Sequence, residues 1–517
     1  MRRLAGIVVA SVLVVAGCTS ETPLPAPSDR PSVPAPSASR GANARSPLPI
    51  AASADPSSPS VADPGPPEPL PSPATDETMG LDRGAAWFTD HGFSGRPFAV
   101  GPAWQVYMDY ESVIFAPAAL IGVSPSDDRG GGSSQDWWNG FEGAVEVLWA
   151  AKMQRFVAVA PLAIVGNGST CGSSRLKIAV SASGDPRAPW TFSQAELPNV
   201  DGLAFDLAAS DDKLAITSQD FCGNEPTGSH IRVMDLADLI DGGDVTVRDV
   251  TPAAPETHHW LASQPVPPEG TNQVGDSLHL IAVRAVDGAW TSFSYATLEG
   301  SARAGTARLS APLDLTAAGI LPSYADTGPL RAAEQTLPDP DPAEQAAFLD
   351  TGRGPTSAVA RDGRLWAAFN RACRPDGDTQ DRWCAQFVVL DTTTPIPTLV
   401  EEATFGVRGA RIANPEVGVA RDGTVYLTER QVTSFHHDPS VLVGTWRLPS
   451  EPIAGGRQNV LLDTPDGWSE PSSGAMVPDM ALPGVVKVAT GTELGADGSD
   501  TQGSDGILFL RLSRGTQ

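Results

Sequence analysis

The sequence predicts an all-β fold of the β-propeller class with six or seven blades. From about Gly80 to Gln517 the chain shows no long helical periodicity. It consists of short β-rich runs separated by Gly, Pro, Asp and Asn. A polar turn followed by an apolar or alternating strand also recurs about every 60 residues, which is typical of a repeated unit with several strands. The recurring strands begin at these apolar residues: Phe156, Leu214, Leu278, Leu365, Val425 and Val485.

One interval in this series, from Leu278 to Leu365, is longer than the others. It contains "LPDPDPAEQAAFLDTGRG", which we interpret as an insertion with a short helix over Pro342 to Leu349. The stretch Pro102 to Val123 supplies either a seventh unit or the strand that closes the ring. A β-helix would repeat at roughly 20–25 residues, and a β-sandwich would not keep the spacing, so both alternatives fit less well.

The N-terminus predicts a lipoprotein signal peptide over residues 1–17. "MRR" is cationic, and the apolar stretch Leu4 to Val15 is too short to span the ~30 Å hydrocarbon core of a bilayer. It ends in "VAGC", which resembles the bacterial lipobox. The resemblance implies that Cys18 is diacylated, becomes the mature N-terminus and anchors an exported protein at the cell membrane, facing away from the cytoplasm. The alternative is an ordinary signal peptide followed by an unrelated cysteine.

Residues 18–79 predict a disordered linker that follows the lipidated cysteine. The segment is dominated by Pro, Ser and Ala, with few of the aromatic and branched side chains that a core requires. Such a chain is partly polyproline II and acts as an extended tether. We therefore assign residues 80–517 to the β-propeller domain.

Charge excludes some classes of partner. The chain has 61 Asp and Glu residues against 35 Lys and Arg, giving a net charge of −26. Nucleic acids and anionic membrane surfaces are bound by basic faces, so neither is expected as a partner. The lipid anchor is the predicted contact with the membrane. The oligomeric state is left open.

The cysteines predict disulfide bonds. Besides Cys18 the chain has four, an even number in an exported protein. Of the three connectivities that four cysteines allow, proximity favours Cys373–Cys384, and Cys171–Cys222 then follows by elimination. A zinc site is the competing interpretation, but the sequence has no C-x-x-C, and no histidine lies close to the cysteines in sequence.

The stretch "SASGDPRAPW" nearly matches the turn S-x-D-x-G-x-T-W, and it resembles the Asp box of sialidase-like β-propellers. "DGAWTSF" and "PDGWSEP" look like weaker relatives. The resemblance implies that Ser183, Asp185 and Trp190 form a structural turn, on the face away from any active site. Arg187 and Pro189 depart from the pattern.

Sialidase chemistry would require an arginine clamp, a Tyr–Glu nucleophile pair and an aspartate, and these enzymes usually carry an F/Y-R-I-P motif. This chain has only "SGRPF" around Arg96 and Pro97. No catalytic residue is predicted.

The segment "QDWWNGFEG" is the candidate ligand-binding site. Trp137 and Trp138 stand beside Asp136 and Glu142, and aromatic rings next to carboxylates suit stacking and hydrogen bonding to a sugar or peptide. The alternative is that one or both tryptophans fill space at the centre of the ring or between blades.

No metal site or cofactor is predicted. Adjacent histidines on a strand point to opposite faces, so the pairs His258–His259 and His436–His437 do not favour chelation of one ion. The segment Asp497 to Gly506 has oxygens at alternate positions, as calcium loops do, but lacks their spaced glutamate. Calcium is therefore only an alternative to a polar hairpin.

Taken together, these features predict a lipid-anchored cell-envelope propeller that binds an extracellular glycan, peptide or protein without catalysis. The alternatives are a glycoside hydrolase acting on extracellular glycans and an envelope scaffold. An arginine cluster or a carboxylate pair at the channel mouth would favour the hydrolase. An exposed apolar patch on a blade edge would favour the scaffold.

Overall fold

The fold is a ring of four- and five-stranded β-sheets, seen in a computed structural model. The residues that the structure describes are 80–89, 96–108, 112–122, 132–133, 145–164, 171–200, 202–222, 225–242, 245–254, 257–286, 289–324, 355–379, 381–408, 410–432, 440–447, 457–464, 475–494 and 504–513.

Within these ranges the strands form seven sheets, here called blades 1 to 7 in chain order. Blade 1 contains β2 (Phe98–Val100), β3 (Trp104–Met108), β4 (Ser112–Pro117) and β5 (Gly132–Ser133). Blade 2 contains β6 (Glu146–Ala150), β7 (Arg155–Ile164), β8 (Ser173–Ser181) and β9 (Trp190–Pro198). Blade 3 contains β10 (Gly202–Ala209), β11 (Lys213–Cys222), β12 (Glu225–Asp235) and β13 (Arg248–Asp249), with the helix α1 (Leu236–Asp241) after β12.

Blade 4 contains β14 (His258–Ala262), β16 (Leu278–Val286), β17 (Ala289–Glu299), β18 (Arg308–Leu309) and β19 (Leu313–Asp314). Blade 5 contains β15 (Gln264–Pro265), β20 (Pro355–Arg361), β21 (Arg364–Cys373), β22 (Arg382–Asp391) and β23 (Thr398–Phe405). Blade 6 contains β24 (Arg411–Val419), β25 (Val425–Val432), β26 (Ser440–Arg447) and β27 (Arg457–Thr464). Blade 7 contains β28 (Ala475–Pro478), β29 (Val485–Leu494), β30 (Ser504–Ser513) and β1 (Gly80–Thr89).

The strand pairs within the blades are antiparallel, except that β15 runs parallel to β20. The innermost strand is the first of the blade in chain order, except that it is β20 in blade 5 and β28 in blade 7. These strands contact one another around the ring in the order β2, β6, β10, β14, β20, β24, β28 and back to β2. The ring is therefore a closed β-propeller, and seven is the blade count among the described strands.

The recurring strands of the sequence are the second strands of their blades. Phe156 lies in β7, Leu214 starts one residue into β11, and Leu278, Val425 and Val485 begin β16, β25 and β29. Pro102 to Val123 contains β3 and β4 of blade 1, so it supplies a seventh unit. The strand that closes the ring is instead β1, which pairs with β30 over Gly80↔Ser513 to Thr89↔Asp505.

The core lies between neighbouring blades because the described inner strands bury side chains on both faces. In β9 the burial alternates along the strand, as expected for an outer strand with one buried face. Clusters of aliphatic and aromatic side chains fill the spaces between blades. For example, Leu148, Ile178 and Leu207 pack between blades 2 and 3, and Trp366, Phe387 and Leu427 between blades 5 and 6.

Ring closure includes a buried lysine. Lys487 on β29 has no solvent exposure, and its Nζ donates to Gln105 Oε1 (2.9 Å), Ala118 O (2.5 Å) and Leu120 O (2.7 Å), all in blade 1. Asp479 lies 3.4 Å from the same ammonium. Burial lowers the pKa of Lys487. This network ties the last blade to the first.

Candidate functional site

The inner edges of the blades carry backbone groups that lack a sheet partner, because adjacent innermost strands do not pair with one another. Such groups need side-chain acceptors when they are buried. Glu146, the first residue of β6, accepts a hydrogen bond from Leu207 N in β10 at 2.9 Å. Likewise, Ser357 Oγ in β20 accepts a hydrogen bond from Val417 N in β24, also at 2.9 Å. Polar side chains on the channel wall thus join neighbouring blades.

A group of charged side chains lies in the channel at the level where β2 and β6 begin. Arg96 precedes β2, and its Nε is 3.6 Å from Asp206 Oδ1 in β10. Glu146 and Glu416 (β24) interact electrostatically with the same pair. We call Arg96, Glu146, Asp206 and Glu416 the mouth cluster.

The members of the mouth cluster differ in exposure. The side chains of Arg96 and Asp206 are 20% and 33% exposed. Glu146 and Glu416 are only 2% and 6% exposed, and both accept backbone hydrogen bonds. A ligand that approaches the mouth therefore meets Arg96 and Asp206 first.

Burial sets the protonation of the cluster. It raises the pKa of Glu416 to about 8 and the pKa of Glu146 well above its usual range, with Asp206 adding to both effects. The enclosing walls also raise the pKa of Asp206, an effect that Arg96 and His259 oppose. At neutral pH Glu416 is therefore mainly protonated, next to the Arg96–Asp206 pair.

The channel behind this cluster is narrow. Its volume is about 60 Å³, which holds on the order of four water molecules. Its walls are mainly aliphatic and include Val100, Leu148, Val359 and Val417. A sugar ring or peptide side chain does not fit inside this volume.

The other end of the channel is crossed by residues 264–277, here called the cross-channel segment. Its first residues, Gln264 to Pro267, line the channel. Val266 N donates to Ala360 O in blade 5 (2.9 Å), and Val274 N donates to Asp211 Oδ1 next to blade 3 (3.0 Å). The segment thus bridges blades that are not neighbours.

Arg421 fastens the cross-channel segment to blades 6 and 7. It follows β24, and its guanidinium donates to Thr271 O (2.8 Å), Pro268 O (3.2 Å) and Met480 O (2.8 Å). The Arg421 side chain thereby donates hydrogen bonds to three carbonyl groups that lie outside regular secondary structure.

The three residues of the Asp-box-like turn lie in the hairpin between β8 and β9. Asp185 Oδ1 accepts Arg187 N at 3.0 Å, and Trp190 Nε1 donates to Pro186 O at 2.7 Å. Ser183 Oγ accepts from Asp185 N at 3.2 Å. The Trp190 ring stacks on Phe115 of blade 1, with 6.3 Å between ring centroids.

This hairpin joins the third and fourth strands of blade 2. It lies at the end of the ring opposite the mouth cluster. "DGAWTSF", by contrast, runs from the β16–β17 connection into β17, between second and third strands, and so is not an equivalent turn.

Both disulfide bonds predicted from the sequence are present, with the favoured connectivity. Cys171–Cys222 joins the chain before β8 to the end of β11, and so links blades 2 and 3. Cys373–Cys384 lies within the β21–β22 hairpin of blade 5. Disulfides of this kind fit an exported protein.

Several predicted residues lie outside the described residues. They are Cys18, Asp136, Trp137, Trp138, Glu142, His436, His437 and the candidate helix over residues 342–349. The weaker Asp-box relative "PDGWSEP" and most of Asp497 to Gly506 lie outside them as well.

His258 and His259 occupy the innermost strand β14. His258 is buried against Trp260, with stacked rings 5.1 Å apart, whereas His259 contacts Trp290. The two rings therefore take different neighbours. Among the residues that the structure describes, no group of three or more His, Cys, Asp or Glu side chains is arranged to hold a metal ion.

Sequence reasoning missed the mouth cluster. Arg96 was noted only as part of an incomplete motif, and Glu146, Asp206 and Glu416 were not singled out. A usable signal was present, because Glu146 opens the apolar strand "EVLWA" and Glu416 interrupts β24. Carboxylates in otherwise apolar inner strands are rarely buried without a partner.

The described surface also has a small apolar area. Ile396, Leu399 and Val400 are 62%, 39% and 47% exposed at the outer edge of blade 5. Separately, no helix in the described part of the chain is long and apolar enough to cross a membrane.

Comparison with known proteins finds no matching family model and no matching curated protein. Among solved structures, the chain is similar to the polysaccharide lyase Uly1, with 9% identity, a TM-score of 0.39 and coverage of 81% of this chain and 90% of that one. It is similar to the NanB sialidase from Streptococcus pneumoniae, with 8% identity, a TM-score of 0.37 and coverage of 79% and 83%.

A third similarity is to the GH93 alpha-L-arabinofuranosidase of Fusarium graminearum, with 8% identity, a TM-score of 0.33 and coverage of 82% and 97%. These neighbours are glycoside hydrolases and a lyase of very low identity. The assignment of the fold rests on the closed ring of sheets.

Proposed function

We propose that this protein is a lipid-anchored cell-envelope β-propeller that binds an extracellular ligand at the channel mouth without catalysis. The observation that carries the proposal is the partly exposed Arg96–Asp206 pair, 3.6 Å apart, in a channel whose other end is crossed by residues 264–277. Polar groups that converge on the mouth of a closed recess are the usual form of a ligand site.

The charge of the mouth cluster indicates the class of ligand. The raised pKa values of Glu146 and Glu416 favour their neutral forms and Arg96 is paired with Asp206, so the cluster offers hydrogen-bond donors and acceptors with reduced net charge. That combination suits the hydroxyl groups of a neutral glycan better than an ion. A peptide is the other ligand that the sequence predicts.

The segment from Asp136 to Glu142 belongs to the same proposal. The chain passes from this segment directly into Val145 and Glu146 of the channel wall. We assign to Trp137 and Trp138 the stacking contacts with the ligand, and to Arg96 and Asp206 the hydrogen bonds. The tether of residues 18–79 would hold this domain away from the membrane to which Cys18 is attached.

Binding is tested with the full chain carrying Cys18→Ser, which is exported but not lipidated, on glycan and peptide arrays. We expect a neutral glycan to bind, and Asp206→Asn to weaken it at least tenfold, because a charge-assisted hydrogen bond is lost. Asp391→Asn, at an exposed turn on the other side of the ring, is the matched control and should bind normally. Equal binding by Asp206→Asn and the unsubstituted chain would contradict the proposal.

A glycoside hydrolase is the second candidate function, and Glu416 favours it. A carboxylic acid with a pKa of about 8 that interacts electrostatically with a second carboxyl group, Asp206, resembles the carboxyl pair of these enzymes. The burial of Glu416 argues against it, since only 6% of that residue is exposed. Turnover of a fluorogenic glycoside that is abolished by Glu416→Gln would establish the hydrolase and refute binding without catalysis.

Lipidation is tested separately by mass spectrometry of the mature protein. An acyl-modified N-terminal Cys18 is the expected result. A mature protein that retains an unmodified Cys18, or begins elsewhere, would refute the anchor without affecting the ligand site.

A further inference from the structure

Two consecutive hydroxyl side chains of blade 5 hold the backbone on both sides of Glu416. The Oγ1 atom of Thr356 donates a hydrogen bond to the carbonyl oxygen of Pro415, the residue before the glutamate. The Oγ atom of Ser357 accepts from Val417 N at 2.9 Å and donates to Val417 O at 3.1 Å, on the other side of it. Because Ser357 is only 4% exposed, water does not compete for these hydrogen bonds. The backbone around Glu416 is therefore fixed from the neighbouring blade.

Both inner strands are irregular at the point where they meet. The register of β20 shifts by one residue at Thr356, whose Oγ1 also lies 3.1 Å from Ala368 O in β21. The register of β24 shifts between Ala413 and Glu416. Within this second bulge Asn414 has a φ of 46°, in the left-handed region that few residues other than glycine adopt. Bulges redirect the side chains beside them, so the bulge of β24 helps to set the direction of the Glu416 side chain.

The sequence repeats around these two positions. Blade 5 reads "PTSAVARDG" from Pro355 and blade 6 reads "PEVGVARDG" from Pro415, so Thr356 and Glu416 occupy equivalent places. In blade 5 a serine hydroxyl group is enough to accept the N–H group of the next inner strand. In blade 6 the Glu416 carboxyl group accepts Met476 N, although burial raises its pKa to about 8. A buried carboxyl group exceeds what the backbone needs here, and groups of this kind are concentrated at functional sites.

The charged groups around Glu416 make the position of its carboxyl group important. Arg96, which precedes β2, favours the ionised form of the glutamate, whereas Asp206 of β10 opposes it. Glu146 of β6 interacts with the same arginine and aspartate, and His259 of β14 interacts with Asp206. Electrostatic energies depend strongly on distance in a poorly hydrated space, so a small displacement of the Glu416 carboxyl group alters its interactions with these groups.

We propose that Thr356 and Ser357 are positioning residues of the mouth cluster, which fix the place of the Glu416 carboxyl group beside Arg96 and Asp206. The proposal rests on the ligand-binding role proposed for that cluster. Neither hydroxyl group is hydrogen-bonded to a charged side chain among the described residues, so each acts through the backbone that carries Glu416. When a hydroxyl group is removed, the bulge relaxes and water reaches the carboxyl group. The pKa of Glu416 then falls towards its ordinary value of 4.5.

The test is a titration of Glu416 by carbon-13 NMR on the full chain carrying Cys18→Ser, with labelled glutamate side chains. The Glu416 carboxyl resonance is the one that is absent from the spectrum of Glu416→Gln. In the chain without further substitutions we expect a midpoint at the pKa of about 8. Thr356→Val keeps the shape of the side chain without its hydroxyl group, and Ser357→Ala removes the other hydroxyl group. Each should lower the midpoint by at least about one pH unit, because part of the desolvation is lost.

Two controls separate positioning from a general loss of stability. Thr356→Ser keeps the hydroxyl group and should restore the midpoint. Ser229→Ala removes a comparable hydroxyl group, which accepts Trp260 N at 3.0 Å between blades 3 and 4, and should leave the midpoint unchanged. The proposal is overturned if Thr356→Val or Ser357→Ala titrates like the unsubstituted chain, or if Ser229→Ala shifts the midpoint as far as they do. A midpoint near 4.5 in the unsubstituted chain overturns it too.

The same variants are applied to the glycan and peptide arrays, which separates this proposal from the ligand site itself. Thr356→Val should weaken the binding of the neutral glycan about fivefold, and Thr356→Ser should bind normally. If the unsubstituted chain binds no glycan or peptide while the midpoint still shifts in Thr356→Val, the ligand site is refuted and the positioning of Glu416 stands. If the chain binds a glycan and the midpoint does not shift, the positioning is refuted and the ligand site stands.

Discussion

The two ends of the central channel satisfy the same physical requirement in different ways. At the mouth, unpaired backbone N–H groups of the inner strands are met by carboxyl groups, as Glu146 does for Leu207. At the far end, backbone of the cross-channel segment itself spans the ring, and Arg421 satisfies its carbonyl groups. One end therefore keeps titratable groups with partial access to solvent, whereas the other is closed by hydrogen bonds from a guanidinium.

From this difference we expect the mouth cluster to serve ligand binding and the far end of the channel to serve stability. In the mouth cluster the pKa of Glu416 is raised and the Arg96–Asp206 ion pair is only partly buried, and both are features of ligand sites. At the closed end, the Arg421 guanidinium donates to three main-chain carbonyl groups. The following experiments separate the two ends, from the largest expected effect to the smallest.

The disulfide at the mouth end should matter most. Replacing Cys171 and Cys222 by serine opens a link with a sequence separation of 51 between blades 2 and 3. Loop-closure entropy predicts a loss of about 4 kcal/mol in the free energy of unfolding. The matched pair is Cys373 and Cys384, with a separation of 11, for which the same relation predicts about 3 kcal/mol. Denaturant titrations measure both, and a larger loss for the shorter link would contradict the expectation.

Arg421→Ala tests the closed end. The change leaves the carbonyl groups of Pro268, Thr271 and Met480 without their donor, so we expect a loss of about 2–4 kcal/mol in the free energy of unfolding. Hydrogen exchange should accelerate in residues 264–277 and remain slow in β7 and β11. If the exchange of the cross-channel segment is unaffected, Arg421 does not fasten it.

Glu416→Gln tests the titration of the mouth. The folded-state pKa of Glu416, about 8, lies above its value of 4.5 in an unfolded chain, so folding favours the protonated form. This contribution to stability is complete at pH values below about 4.5 and is lost as pH rises to 8. Glutamine does not ionise, so the variant should gain on the order of 2 kcal/mol relative to the unsubstituted protein between pH 5 and pH 7. Parallel pH profiles of the two proteins would show that Glu416 does not titrate in this range.

The Asp-box-like turn should have the smallest effect. Asp185→Asn keeps an oxygen that accepts from Arg187 N but weakens the exposed contact with the Arg187 guanidinium. Thermal unfolding should therefore change little, with a loss in unfolding free energy within about 0.5 kcal/mol. Trp190→Ala, which removes the ring stacked on Phe115, is the informative comparison and should cost clearly more. Equal effects of the two substitutions would show that the ring does not contribute to packing between blades 1 and 2.

The sequence by itself determined the repeat and therefore the class of fold. A polar turn followed by an apolar or alternating strand recurs along the chain. Its occurrences at Phe156, Leu214 and Leu278 mark the second strands of successive blades. The disulfide pairs could also be inferred, because chain separation restricts which cysteines meet. Both features depend on the spacing of residues along the chain, which can be read directly from the sequence.

Only the tertiary structure decided which residues share the channel. Arg96, Glu146, Asp206 and Glu416 come from four blades, and ring closure alone brings them together. The strand that closes the ring, β1, likewise has no special composition, and its partner β30 lies at the other end of the domain. Burial in that shared space sets the pKa values of the cluster, because desolvation depends on neighbours from every blade and not on the local sequence.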